Sequence, residues 1–352
     1  MANLDQPNHI KAIDQQDMLK SIEELPDQIE HCWGEIKNFV LPANYIRINN
    51  VVILGMGGSG IGGMLAKALA MLDSKVPVEV ANFYELPKYV GTDSLVIAVS
   101  YSGGTEETLA AFREAGKRKA KLVAITTGGE LASVASNFKA PVYKISYKSQ
   151  PRAALGYSFV STLGILCKLG LIDLGKDDVE ETILLMRGIR TKLAPTVPTY
   201  QNEAKKIAMT LQNVFPVTIG AGVMAPVAYR WRTQINENSK HLGFDLMLPE
   251  LCHNWLTGLR LPADILKQMY VLFLQSKHDH PRNKQRQNII GQLLQKKGIK
   301  FDTITVQPSS SILAEMLLML YLGDYVSYYM AILDEVNPTS IEEVDFLKKQ
   351  LG

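Results

Sequence analysis

Two short stretches have residue types and spacing suited to holding a small anion. "GMGGSGIGG" begins at Gly55 and "SYSGGTEETL" begins at Ser100. Ser59, Ser100, Ser102 and Thr105 offer hydroxyl donors, and Gly103-Gly104 lets backbone amides approach an oxyanion closely. Gly55-x-Gly57-x-x-Gly60 fits the dinucleotide-binding spelling, but that site needs an acid at the end of the second strand. Here Glu79 lies inside that strand and Asn82 stands at its end. A P-loop fails because Met64 replaces the required lysine after Gly63, and a nucleophile elbow at Ser59 fails because Ile61 replaces a glycine. What remains is a site for a phosphate monoester with a small organic body, with Gly57, Gly58, Ser59, Ser100, Ser102 and Thr105 as the binding residues.

Such loops work only if regular elements aim them at one point. "VVILG" reads as a strand, "IGGMLAKALAML" as a helix, "VPVEVAN" and "LVIAVS" as strands, and "TEETLAAFREAGKRKA" as a helix. "KLVAITT" and "PVYKIS" follow as further strands. Strands alternating with helices predict a doubly wound parallel sheet, whose ligands bind beyond the carboxyl ends of the strands. Ser59 and the Ser100–Thr105 loop both lie there, each opening a helix. Glu106 and Glu107 favour that helix dipole but must point away from a phosphate. After a helical stretch interrupted by Pro195 and Pro198, the pattern returns. "VFPVTIGAGVMAPVAYRWRTQINENSK" repeats strand, Gly-x-Gly turn and helix, and "MYVLFLQSKHDHPRNKQRQNIIGQLLQKKG" repeats strand, polar loop and helix. Gly220 and Gly222 take the places of Gly55 and Gly57, but Met224 stands where Ser59 was. The α/β chain is thus read as an N-terminal helical segment (1–48), a first phosphate-binding domain (49–150), linking helices (151–212), and a second domain with a C-terminal helix (213–352). In the first segment Met18, Leu19, Ile22, Leu25, Ile29 and Trp33 form the apolar stripe.

Composition narrows the partners. The net charge of +2 comes with no dense block of Lys and Arg, which argues against nucleic acid or an anionic membrane. The three cysteines, Cys32, Cys167 and Cys252, are widely spaced and form no CxxC pair, which suits a reducing compartment. "MANLDQPNHIKAIDQQDM" lacks the apolar core of a signal peptide. The most membrane-like run, "AEMLLMLYLGDYVSYYMAIL" from Ala314, is broken by Glu315 and Asp324 and suits a buried helix better than a span. A cytoplasmic protein is expected. His278-Asp279-His280 has metal-ligand residue types, but adjacent residues in one loop rarely make a site, and a solvated loop is expected there.

"GMGGSGIGG" with "SYSGGTEETL" resembles the sugar isomerase (SIS) domain, which binds phosphosugars. Two such domains in tandem, with "PRAALGYSF", "NENSKH", "ELCHNW" and a C-terminal "PTSIEEVDFLKK", resemble the bifunctional phosphoglucose/phosphomannose isomerase family over nearly the whole chain from about residue 35. One departure is Gly104, where the family commonly has Asn. The resemblance implies interconversion of glucose 6-phosphate and fructose 6-phosphate, and of mannose 6-phosphate, without metal or redox cofactor. Moving a proton between adjacent carbons needs a carboxylate base, donors facing the enediolate, and a proton donor to open the ring. By residue type alone, Glu237 is an ordinary helix glutamate, Arg152 equally a surface arginine, His253 a half-buried structural histidine and Lys348 a surface lysine. The resemblance implies instead that Glu237 is the base, that Arg152 stabilises the enediolate, and that His253 and a C-terminal lysine assist ring opening. The Leu347-Lys348 pairing favours Lys348 over Lys349. It also implies a homodimer with active sites at the interface, His253 coming from the neighbouring subunit. Two rivals stay open: a non-catalytic phosphosugar sensor, which would normally bring a DNA-binding helix-turn-helix, and an SIS isomerase of another sugar phosphate.

Overall fold

The structure, a computed structural model, describes residues 4–351. It divides into two compact units, Glu24–Ile183 and the first residues to Glu23 together with Leu184 onwards. Segment 151–212 is therefore shared, one part belonging to each unit.

Helices α1 (Pro7–Ile13) and α2 (Met18–Glu23) open the chain, and α3 (Leu25–Ile36) begins the first unit in space. The apolar stripe buries Met18, Ile22, Leu25 and Ile29 as expected but continues through Cys32 and Ile36, leaving Trp33 half-exposed. Strand β1 (Asn50–Leu54) leads into α4 (Gly57–Asp73), then β2 (Val78–Ala81), β3 (Ser94–Val99), α5 (Glu106–Lys117), β4 (Lys121–Thr126), α6 (Gly129–Asn137), β5 (Val142–Lys144) and α7 (Leu155–Lys168). The five strands are parallel in the order β2-β1-β3-β4-β5. All six residues of β3 are buried, as a strand covered on both faces requires. Val52, Leu54, Val96 and Ala98 pack with Leu109 and Phe112 of α5 and Leu131 and Val134 of α6. On the other face α4 approaches Ile53 through Gly63, and α7 packs between α4 and α3. Strand alternation thus sends successive side chains into two helical layers.

Helix α8 (Asp178–Leu193) passes into the other unit, followed by α9 (Glu203–Leu211), β6 (Phe215–Ala221), α10 (Met224–Ser239), β7 (Phe244–Leu248), the short α11 (Trp255–Gly258) and α12 (Ala263–Gln268), β8 (Met269–Leu274), α13 (Pro281–Lys296), β9 (Lys300–Ile304), α14 (Ile312–Leu333) and α15 (Glu342–Leu351). The four strands are parallel in the order β7-β6-β8-β9, repeating β2-β1-β3-β4 of the first sheet. The two tandem doubly wound sheets are therefore present, with helices at both ends of the chain. Helix α14 is buried on every side from Leu313 to Leu333. It is long and apolar enough to cross a membrane, but its burial makes it the core helix that the sequence suggested.

Candidate functional site

In the unit Glu24–Ile183, the loops after β1 and β3 are built to face an anion. Neither α4 nor α5 has a side-chain cap; in α4 the Ser59 amide donates to the Met56 carbonyl at 3.0 Å, and the leading amides of Gly57 and Gly58 are positioned to meet an anion. A Cβ on Gly58 would lie 2.8 Å from the backbone of Arg152, so glycine is what lets α4 begin against the Pro151–Ala153 turn. Arg152 itself is only 2% exposed, which excludes the surface arginine that its type alone suggested. Gln28, buried on α3, holds that turn: its Nε2 donates to the Ala153 carbonyl at 2.8 Å and its Oε1 accepts from the Gly156 amide at 3.2 Å.

Hydroxyls tie the two loops together. Ser59 Oγ accepts from the Tyr101 amide at 3.2 Å, and Ser102 Oγ accepts from the Gly104 amide at 3.3 Å. Acting as acceptors here, both keep their own hydroxyl proton to donate to a ligand. Ser100 is fully buried; its Oγ accepts from the Gly103 amide at 3.2 Å and shares a hydrogen bond of 2.8 Å with Thr105 Oγ1. Gly103 has φ +71°, and a Cβ there would overlap the Gly128 carbonyl oxygen. The Gly128-Gly129 turn after β4 is thereby seated on the anion loop. Tyr101 is the staple of the arrangement. Its carbonyl accepts from the Thr127 hydroxyl at 2.7 Å, while its own hydroxyl donates to the Tyr147 carbonyl at 2.7 Å and accepts from the Ser149 amide at 2.8 Å. The chain leading to Arg152 is so fixed to the loop after β3. Glu106 accepts from the Tyr84 hydroxyl at 3.2 Å.

In the other unit, Glu237 lies half-buried in the last turn of α10. Its neighbours are pinned: Asn236 Oδ1 accepts from the Gly243 amide at 2.9 Å, and Asn238 Nδ2 donates to Ser327 Oγ of α14 at 3.0 Å. Lys240 adopts a left-handed conformation and donates to the Glu237 carbonyl at 2.7 Å and the Asn337 carbonyl at 2.7 Å. Further back on α10, Arg230 Nε and Nη2 meet Asp324 Oδ1 and Oδ2 of α14 at 3.0 and 3.1 Å, both residues buried. Trp231 Nε1 donates to the Met319 carbonyl at 2.9 Å. His253 ends the single 3₁₀ turn Glu250–His253 after β7 and is exposed, not half-buried as its apolar neighbours suggested. Lys348 is exposed on α15, on which every residue is exposed. Glu237, His253 and Lys348 thus stand on three separate elements.

The His278-Asp279-His280 loop is not the solvated loop expected. Asp279 is buried and accepts from the Ser276 amide at 3.1 Å, His278 Nε2 lies 3.0 Å from the Ser309 carbonyl, and His280 Nδ1 caps α13 by accepting from the Arg282 amide at 3.1 Å. Among the described residues no group of His, Cys, Asp and Glu is arranged to hold a metal ion. Burial raises the Asp279 carboxyl from 3.8 to about 6, against the pull of the Ser276 amide. The folded state therefore holds this proton more tightly than the unfolded state. Asp279 favours folding fully below about pH 4, and that contribution is lost as pH rises through about 6. Asp279→Asn keeps the acceptor and removes the charge. Chemical denaturation should find it more stable than wild type by about 1–2 kcal/mol at pH 8, solvent screening included, with the gap closing below pH 4. Equal stability at pH 8 would show that the buried charge costs nothing.

Comparison with known proteins identifies the family. The SIS domain family matches residues 44–164, and the bacterial phospho-glucose isomerase C-terminal SIS domain family matches residues 200–351. A bifunctional phosphoglucose/phosphomannose isomerase of Caldicellulosiruptor bescii is 40% identical over 337 residues, covering 95% of this chain and 99% of the relative. One from Aquifex aeolicus is 32% identical over 337 residues, covering 96% and 98%. In fold, the chain is similar to the C-terminal domain of glucosamine-fructose-6-phosphate aminotransferase from Francisella tularensis, with a TM-score of 0.67 at 18% identity over 92% of this chain and 98% of that one. Near-complete coverage at 40% identity places the chain in the bifunctional phosphoglucose/phosphomannose isomerase family.

Proposed function

We propose that the protein interconverts glucose 6-phosphate, fructose 6-phosphate and mannose 6-phosphate through an enediolate. The observation that carries this is the pair of uncapped helix starts in one unit, joined by the Ser59–Tyr101 hydrogen bond and lined by hydroxyls with protons to donate. Ser59, Ser102 and Thr105 grip the phosphate with the amides of Gly57 and Gly58; Ser100, expected from the sequence to bind it as well, is fully buried and shapes the loop from behind. Glu237 takes the proton from one carbon and returns it to the next, Arg152 faces the enediolate oxygens, and His253 and Lys348 serve ring opening. None of these steps calls for a metal or redox cofactor. Mannose 6-phosphate additionally requires proton delivery to either face of carbon 2.

The active form is a homodimer with His253 supplied across its interface. Val344, Leu347 and Leu351 of α15, exposed at helical spacing, support a covered C-terminal face, and sedimentation equilibrium would weigh the assembly. Free thiols at Cys32, Cys167 and Cys252 support the cytoplasm as its compartment. A coupled assay offering each of the three hexose 6-phosphates tests the activity; turnover of none would leave a phosphosugar sensor or an isomerase of another sugar. Ser102→Ala removes one hydroxyl donor to a charged group and should raise KM roughly tenfold with kcat little changed. An unaltered KM in steady-state kinetics would place the phosphate elsewhere.

A further inference from the structure

The loop after β8, Gln275–His280, holds in the second sheet the position that Ser100–Thr105 holds in the first, since β8 pairs with β6 as β3 pairs with β1. It too turns on a serine hydroxyl that accepts from a backbone amide a few residues on. In the first loop the Gly103 amide donates to Ser100 Oγ at 3.2 Å; in the second the His278 amide donates to Ser276 Oγ at 3.0 Å, turning the Ser276 proton inward. What receives that proton is the chain's own carboxylate. Glu315, in the first turn of α14 and 2% exposed, accepts at Oε2 from the Ser276 hydroxyl at 2.6 Å and from the Lys277 amide at 3.0 Å, and at Oε1 from the Ser309 amide at 3.0 Å. His278 Nε2 stands 3.8 Å from Oε1. A hydroxyl and backbone amides from two loops therefore converge on a pair of oxygens in a dry recess, a donor set that suits any compact oxyanion. The segments that follow the two sheets differ in sign: Arg152 precedes α7, whereas Glu315 lies in α14.

We propose that the second unit retains an oxyanion cradle and that Glu315 fills it as a tethered anion, closing it to phosphate. The contacts that make the cradle lie within one unit and do not depend on which sugar the enzyme turns over. Their consequence is that each chain offers free phosphate-bearing compounds a single hydroxyl loop instead of two competing ones. The closed cradle also seats the first turn of α14, whose Asp324 and Ser327 hold α10.

The probe is inorganic phosphate, titrated against wild type, Glu315→Ala and Glu315→Gln at constant ionic strength in chloride. Phosphate bound per chain is counted by equilibrium dialysis, and Tm is followed in parallel. Glu315→Ala should unfold at lower temperature in chloride, bind one phosphate more than wild type, and gain more in Tm from phosphate than wild type does. Glu315→Gln keeps the bulk in place but turns an amide against backbone donors. Its Tm should fall, phosphate should relieve none of that fall, and its bound phosphate should match wild type. An alanine variant that binds no additional phosphate overturns the proposal. If that variant fails to fold, the glutamine variant decides: a wild-type Tm would mean that a neutral amide serves as well and that the recess is no oxyanion cradle.

Discussion

Glu237→Gln should lower kcat by at least about a hundredfold and up to roughly ten-thousandfold, the range over which a positioned general base acts. Glutamine keeps the size and hydrogen-bonding reach of the side chain but cannot accept a proton. KM should change far less, because the phosphate is gripped by other residues on the proposed scheme. Exchange of the carbon-2 hydrogen with deuterated water isolates the step, since it requires proton abstraction without net turnover. Proton NMR of the substrate should show that exchange suppressed with kcat. If exchange continues at near wild-type rate, the base is another residue and Glu237 is a helix glutamate of no catalytic consequence.

Asp324→Ala should be the most destabilising single change outside the apolar core. The Asp324 carboxylate meets Arg230 side-on through both oxygens, and both side chains are buried. Removing the acid takes from a buried guanidinium the carboxylate it meets through both oxygens, and breaking a buried pair typically costs about 3–5 kcal/mol. The denaturation midpoint should fall accordingly. Replacing both partners by apolar residues, Arg230→Met with Asp324→Leu, should recover most of the loss, because no buried charge is then left unpaired. A double variant as unstable as the single one would show that the pair's geometry, and not its charge balance, holds α10 to α14.

The anion loops were legible because their chemistry is local: glycines, hydroxyls and a helix start lie within a few residues of one another. The sheets were legible for the same reason, as β1, β3, β6 and β8 are runs of mostly apolar residues. Strand β7 has no clear pattern in the sequence because it is an edge strand of mixed exposure, with Phe244 and Met247 open to solvent. Helix α6 has as little pattern, being a short segment that opens on Gly129. Gln28 carried no signal at all, since its task depends on a backbone 125 residues away. The burial of Arg152 and the exposure of His253 follow from what tertiary packing sets beside them, which neighbours in sequence do not reveal. Glu315 was noticed only as a charge interrupting an apolar helix. That interruption was the signal, because a carboxylate inside a buried helix must find donors, and a loop rich in amides supplied them.

The interleaving of the two units bears on how the chain is made. Asp5 is synthesised long before its partners, the Thr199 amide at 2.9 Å and Lys205 Nζ at 2.9 Å. Helix α2 must wait longer still, for α14, against which it packs. Residues 24–183 meanwhile form a contiguous unit with its own buried sheet and can condense while the remainder is still being translated. The segment up to Glu23 is thus synthesised before the interior unit and docks after it. A substitution that slows the docking of this segment would burden the closing step of assembly and leave the interior unit complete.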